Sequence, residues 1–461
     1  MTAARNTGTA SVFTDTELLE RTLHRRAVEA VTWGIPLVNY DLMFEALVRD
    51  AKGARNQVLY WSGLADWKNQ FLTPNPDTIY FMPFFSTKDV GPIVLEIPPA
   101  EGGSITGTIM DSWQAALEDV GPAGVDQGRG GKYLILPPGH QGKLPEGCIP
   151  LPSNTYQGYA LLRSILKSRD EADIAKAVAY GRQIRLYPLS AVATAAKPPE
   201  TRFVDAIDVV ASGVISYDLG FFQSLDRMLQ YEPWIERDRA MIDPLKSLGI
   251  EKGKRFRPDA RTSVILESAA QEARALFDLR YETIYEPHNP GTRWFVPADK
   301  DLMGSVESGF TTPDVYPTDG RGILFYFAFS TIKHLGAGQF YLFVSRDKQG
   351  QPLDGAATYR LHVPPKPPVR QYWSAVLYDF ATHALIRHMP HAGCSSQSPG
   401  LQANTDGSVD VWFAPKAPAG KASNWIPTDP HGRFEALFRF YGPDKPLFDK
   451  TWVLPDIERV A

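Results

Sequence analysis

Cysteine is scarce in this chain. The two present among 461 residues, Cys148 and Cys394, cannot form the disulfide framework that holds small secreted domains together. Each reads as an ordinary small residue. Long apolar runs are missing too. No stretch reaches the roughly 18 residues of a membrane span, and the run 323–329 (ILFYFAF) is strand length. Charge of one sign is lacking: 48 Lys and Arg against 52 Asp and Glu leave a net charge of −4. That balance excludes a broad basic footprint for nucleic acid. The first 11 residues hold one Arg and no apolar core, so they do not read as a secretory signal. No Asn-x-Ser/Thr acceptor occurs. The expectation is a soluble, cytoplasmic protein without a membrane span, or a periplasmic or secreted one if a signal is removed.

Several catalytic signatures are also missing. The glycine-rich dinucleotide pattern, the phosphate loop, the Gly-x-Ser-x-Gly elbow, Cys-x-x-Cys and His-Glu-x-x-His do not occur. These absences count against nicotinamide enzymes, nucleotide hydrolases, ordinary esterases and zinc peptidases. No cofactor is expected.

What the chain does have is 37 Gly, 38 Pro and 11% aromatic residues, a composition of many turns and aromatic-rich strands. Its length suggests several domains. Thr14-x-x-Glu17 is a capping box, and apolar residues at helical spacing follow it. Gly34 and Pro36 are expected to break that helix, because proline lacks an amide and clashes one turn back. A second helix would then cover 41–48. Residues 56–160 carry short apolar stretches (79–85, 93–97 and 133–136) punctuated by Pro and Gly, the pattern of antiparallel strands. Helical character returns over 160–285. Ser168-x-x-Glu171 is a second capping box, read as opening a helix over 174–186. Further helices are expected over 218–229, 237–248 and 262–281, with a Pro- and Ala-rich connection over 186–200. From about residue 294 strands are expected at 323–329, 339–345, 358–363, 372–378, 409–413, 434–441 and 451–454. The expected fold is α+β multidomain. Two antiparallel β-sandwich or jelly-roll domains (56–160 and 294–461) would accompany N-terminal helices (14–55) and a helical region between them (161–293).

Four polar constellations could carry chemistry. In Thr73-Pro74-Asn75-Pro76-Asp77-Thr78-Ile79-Tyr80, two prolines fix a turn that delivers Asn75, Asp77 and Tyr80 before an aromatic strand. The plainer reading is an Asx turn bonding its own backbone. In Asp111-Ser112-Trp113-Gln114, the carboxylate and indole share a face if the segment is a strand, as in a ligand-binding wall or a packed edge. Asp77 and Asp111 could act as a general acid/base pair if they meet roughly 5–9.5 Å apart. His383, His388 and His391, with Cys394 nearby, tempt a metal reading. However, a five-residue spacing separates the first two on a helix and sets them on opposite faces of a strand. A polar loop with solvated histidines is expected, and no metal. Arg439 stands among Phe434, Leu437, Phe438 and Phe440, where an arginine is paired, stacked or used to recognise an anion. Lys132, after Gly130-Gly131, could contact an anion or sit solvated on a hairpin.

Six ordered segments carry a resemblance: TPNPDTIYF at 73–81, GGKYLILPPG at 130–139, YWSAVLYD at 372–379, DGSVDVWF at 406–413, NWIPT at 424–428 and FRFYGP at 438–443. Together they resemble a mostly bacterial two-domain family. Its N-terminal half is the domain of unknown function numbered 1254, and its C-terminal half is the one numbered 1214. The family's turn reads Asn-Asn-Asp-Thr, and Pro76 replaces the second Asn here. The resemblance implies two β-sandwich or jelly-roll domains with a helical insertion, and members that often carry export signals. It implies no established reaction.

The leading expectation is an enzyme acting on a small organic molecule or glycan by hydrolysis or other acid/base chemistry. Asp77 and Asp111 would be catalytic, and Asn75, Tyr80, Trp113, Lys132 and Arg439 would bind substrate. The rivals are a non-catalytic protein that binds carbohydrate or envelope material, and a structural homo-oligomer.

Overall fold

The computed structural model describes residues 12–194, 198–297, 300–328, 332–334 and 338–460. The N-terminal stretch 1–11, part of the 186–200 connection, and Phe329 lie outside these. The architecture is α+β, with a long N-terminal helix, a helical middle and several mostly antiparallel sheets.

The capping box opens the first helix as expected. Glu17 N–H donates to Thr14 Oγ1 at 3.2 Å, and Thr14 N–H donates back to Glu17 Oε2 at 2.7 Å. The helix then runs unbroken through Asp15–Glu45 and ends in a wider-wound turn, Ala46–Asp50. The expected break at Gly34 and Pro36 does not occur. Proline removes one amide donor, which leaves the Thr32 carbonyl without its usual partner. Residues 30 to 41 are all buried, so packing on every side of Pro36 outweighs that loss. Gly322 belongs to the helix Thr318–Phe327, which crosses this point. A Cβ there would lie 3.0 Å from the Thr32 carbonyl oxygen, so the close approach requires a glycine.

A six-stranded sheet follows the order Phe203–Asp205, Gln57–Tyr60, Ile79–Ser86, Gln157–Ser164, Ile105–Asp111, Ala116–Val120. A four-stranded sheet holds Arg185–Pro188, Ile93–Ile97, Gly131–Leu136 and Cys148–Pro152. The eight residues of Ile79–Ser86 are all buried. Its alternation sends Ile79, Phe81 and Phe85 into an apolar layer that also holds Leu95, Ile97, Tyr133 and Ile135 of the smaller sheet. Tyr80, Met82 and Phe84 face the helices.

The second capping box is not the one used. Asp170 caps the helix Glu171–Gly181 by accepting from Asp173 N–H at 2.7 Å, and Ser168 Oγ bonds Asp170 instead. An acceptor one residue before the helix outcompetes one three residues before it. That helix stops at Gly181, and residues 185–188 join the smaller sheet rather than prolonging it. The helices Leu219–Tyr231 and Ala260–Thr283 stand where expected. The segment 237–248 is a 3-10 turn followed by the short helix Ile242–Ser247.

In the C-terminal part, Gln339–Val344, Phe434–Tyr441, Trp373–Asp379 and Gly393–Ser395 form one sheet. Trp425–Pro427, Val409–Ala414, Tyr359–Val363 and Glu458–Arg459 form another. Residues 451–454 form no strand, and 323–327 belong to a helix. A short apolar run fits a buried helix as well as a buried strand, and here packing against the first helix decides. The largest apolar cluster joins the helices to both β units, with Leu59, Met82 and Leu161 from one and Phe343, Val376 and Leu437 from the other. The helices therefore lie between the sheets that face them. Among the described residues no helix is long and apolar enough to cross a membrane.

Candidate functional site

The turn before Ile79 joins the two β units. Thr73 has a left-handed backbone, φ +38°. Its amide donates to the His383 carbonyl at 2.7 Å, and its carbonyl accepts from Arg439 Nη2 at 3.0 Å. Tyr378 Oη donates to the Pro74 carbonyl at 2.7 Å, and Asn75 Nδ2 donates to Tyr441 Oη. The Asx turn is present as well, since Asp77 N–H donates to Asn75 Oδ1 at 3.0 Å. Tyr80 closes the loop by accepting from Asn75 N–H at 2.8 Å.

Beside this junction lies a cavity of about 340 Å³. One wall comes from the turn and from Leu161 and Arg163 of Gln157–Ser164. A second comes from Gln339, Phe340, Tyr341 and Phe343 with Leu437 and Arg439. The rest is closed by Leu302, Met303 and Val306 of the helix Lys300–Glu307 and by Leu324 and Phe327 of the neighbouring helix. Most of this surface is apolar, and no carboxylate among the described residues lines it.

Two arginines break the apolar lining, and each has a tyrosine as its cross-strand neighbour. Arg163 pairs in register with Tyr80, and Arg439 with Tyr341. The Arg163 guanidinium carbon lies 5.5 Å from the Tyr80 ring centre, and that of Arg439 lies 5.7 Å from the rings of Tyr341 and Tyr378. Such cation–π contacts hold the guanidinium planes without neutralising them. Arg439 is 3% exposed. Its Nη2 is used twice, on Thr73 and on Tyr378 Oη at 2.6 Å. Arg439 Nη1 and Arg163 Nε are enclosed and have no hydrogen-bond partner among the described residues. Burial pushes the Tyr341 and Tyr441 hydroxyls up, so both stay protonated and neutral at physiological pH.

The other sequence candidates lie elsewhere. Asp77 is 6% exposed, and its Oδ1 lies 3.1 Å from Arg169 Nη1. Burial pushes its carboxyl up, opposed by the positive charges of Arg169 and Arg439. Asp111 is 2% exposed, and its Oδ1 accepts from Ala115 N–H at 2.9 Å across a tight turn. Burial raises its carboxyl as well, and the cations facing it are Arg237 and Arg321. The two carboxylates thus have different surroundings, and neither lines the cavity. Trp113 is 2% exposed and packs 4.7 Å from the Trp33 ring. Lys132 sits on the far side of the smaller sheet, 3.5 Å from Glu96. Asn75, Tyr80 and Arg439 do line the cavity.

The histidine segment is a loop in which His388 is exposed as expected, but His383 is buried and His391 half-buried. His383 is 1% exposed, and its Nδ1 lies 2.8 Å from Glu435 Oε1. Tyr281 Oη donates to the other oxygen of the same carboxylate at 2.6 Å. His388 packs on Trp67, and His391 Nε2 contacts the Trp425 carbonyl at 2.7 Å. A buried carboxylate and aromatic partners from distant segments, invisible in the local pattern, draw the His383 ring inward. Among the described residues no group of three or more His, Cys, Asp or Glu is arranged to hold a metal.

Arg163 was the missed residue. Its strand reads Gln157–Ser164, with Tyr159, Leu161 and Arg163 on one face. An arginine continuing an apolar face is the same signal that singled out Arg439.

Fold and site together define a multidomain α+β protein with a partly open, largely apolar cavity where its β units meet. Residues 55–188 match the family described as protein of unknown function (DUF1254), and residues 338–445 match protein of unknown function (DUF1214). The chain therefore combines the two domains that its motifs resemble. No curated protein matches it. Among solved structures it is similar to the VPA0106 protein from Vibrio parahaemolyticus. The TM-score is 0.58 at 16% identity, over 95% of this chain and 100% of that one. It is also similar to a putative uncharacterized protein from Burkholderia cenocepacia, with a TM-score of 0.44 at 15% identity over 96% of each chain. The first likeness extends to the fold alone.

Proposed function

We propose that this chain takes up a small, mostly apolar organic molecule in the cavity between its β units. The observation that carries this reading is a partly open cavity of about 340 Å³ with largely apolar walls and a few polar groups, the usual make-up of a small-molecule site. A second apparent site, a groove of about 750 Å³ at Arg182, Arg185 and Arg202, is shallower, and Arg185 there already faces Glu96 at 4.0 Å. Acid/base chemistry by Asp77 and Asp111 would need both groups in one hollow, so binding is the reading better supported. A glycan is the less favoured ligand, because a sugar needs many more polar partners than these walls offer. Shared apolar layers between facing sheets support taking each β unit as a sandwich, which would give the cavity two rigid walls.

The test uses a neutral solvatochromic dye such as Nile red. The wild-type protein should bind it with a blue-shifted emission, and Ala328→Trp, which fills the cavity from its wall, should abolish the signal without lowering the melting temperature. Equal dye binding by a folded Ala328→Trp variant would overturn the proposal.

A further inference from the structure

The cavity also has a chemical polarity, and this deepens the ligand-site reading on which it rests. We infer that the ligand is an organic monocarboxylate, its carboxylate held between Arg163 and Arg439 and its apolar body lying against the two short helices.

Three observations support this. The first is the pair of unused donors. Arg439 Nη1 and Arg163 Nε are buried without partners among the described residues, and an enclosed guanidinium N–H left unpaired is costly. A ligand oxygen at each would remove that cost. The second is that the guanidiniums share their surroundings. Both line the cavity, Arg163 beside Tyr80 and Arg439 beside Tyr341, and Tyr80, Tyr341 and Tyr441 act electrostatically on both. Asn75 lines the cavity as well. The helical wall, with Leu302, Met303, Val306 and Leu324, offers only apolar side chains. The third is charge. Among the described residues no carboxylate lines the cavity. Asp77, an acid that acts on Arg439 from outside the cavity, is already paired with Arg169. A guanidinium keeps its proton under all ordinary conditions, so the described lining presents two positive charges and no facing carboxylate in a medium of low dielectric. Two donors, one from each planar fork, suit a group with two oxygens and a single negative charge.

The two helices explain the apolar side of the specificity. Lys300–Glu307 packs Leu302 and Val306 against Phe310 and Ala115, and Thr318–Phe327 is anchored by Arg321, which donates to the Trp113 carbonyl at 2.5 Å. The tail wall is thereby fixed to the N-terminal sheet by contacts outside the cavity. A ligand with a polar group at both ends would leave one of them unpartnered on this wall.

The experiment is displacement of bound Nile red by decanoate, methyl decanoate, decanol and decyl phosphate, on the wild-type chain and on Arg163→Met. Arg163 Nε has no hydrogen-bond partner among the described residues, so this variant removes a ligand contact while leaving Arg439 and its contacts to Thr73 and Tyr378 in place. Decanoate should displace the dye from the wild type at a concentration about tenfold or more below that of the ester and alcohol. In Arg163→Met that preference should shrink by about tenfold, while affinity for the ester stays constant. Arg163→Lys should restore part of the preference. Equal displacement by decanoate, ester and alcohol would overturn the carboxylate inference and leave the cavity reading standing. Tighter binding of decyl phosphate than of decanoate would overturn it in favour of a phosphate head. Failure of the dye itself to bind would remove the ligand-site reading beneath it. If Arg163→Met does not fold, the wild-type series alone still decides the ligand class.

Discussion

The Glu435 carboxylate ties the central helices to the C-terminal sheet, and cutting that tie should have a definite cost. Glu435 is 0% exposed on the strand Phe434–Tyr441, accepting from Tyr281 Oη at 2.6 Å and lying 2.8 Å from His383 Nδ1. Tyr281→Phe deletes one hydrogen bond to a charged group and leaves the ring in place, a loss of about 1.5–3 kcal/mol. Glu435→Leu removes the acceptor from both partners and leaves two buried polar groups unpaired, a loss of about 3–5 kcal/mol. Once Glu435 is gone, the tyrosine hydroxyl has nothing to donate to. The double variant should therefore be more stable than the summed single losses imply, by at least ~1 kcal/mol. In a chain with several units, a single unfolding midpoint is poorly defined. The fitting assay is native-state hydrogen exchange of the Phe434–Tyr441 amides, which reports the opening free energy of that sheet. Single losses that add in the double variant to within ~0.5 kcal/mol would refute the reasoning, because they would mean that Tyr281 and Glu435 stabilise the sheet independently.

Two further outcomes follow from buried acids. Burial pushes the Glu232 carboxyl up to about 7 from the ordinary 4.5, opposed by hydrogen bonds from the amides of Tyr156 and Gln157. Between those values the folded chain holds a proton that the unfolded chain has released, so stability should rise as pH falls from about 7 to 4.5, by up to ~3 kcal/mol. Subtracting the urea-unfolding curve of Glu232→Gln isolates this contribution, and parallel pH profiles for the two proteins would exclude it. Asp111 accepts the Ala115 amide within a tight turn, so Asp111→Ala should lower stability by about 1–3 kcal/mol yet leave Nile red affinity unchanged. A folded Asp111→Ala variant that has lost dye binding would place Asp111 in the ligand site instead.

Much of the local structure was legible because its causes are local. The Thr14 cap, the strands at 93–97 and 434–441 and the helix around 262–281 depend on neighbours within a turn or on a two-residue alternation. Misreadings occurred where a distant surface outweighed the local rule. Pro36 fails to break its helix because buried contacts surround that turn on every side. Residues 323–327 are helical because Gly322 lets them press against the Thr32 carbonyl. Ser168 is displaced as a cap by Asp170, a competition that a capping-box pattern alone does not rank. The site divides in the same way. Arg439 could be singled out as an arginine among aromatics, and Arg163 carried the same mark. Whether either guanidinium was paired could not be read from its own strand.

By itself, the order of residues determined the classes of element, the two-domain resemblance and the short list of charged residues set in apolar faces. Only the tertiary structure decided which of those charges share a cavity. Arg439 meets the carbonyl of Thr73, 366 residues away in the chain, and the apolar wall comes from helices that no local pattern connects to either arginine. Hydrogen-bond satisfaction and cavity volume depend on what all packed segments bring together, so neither can be inferred from any segment taken singly.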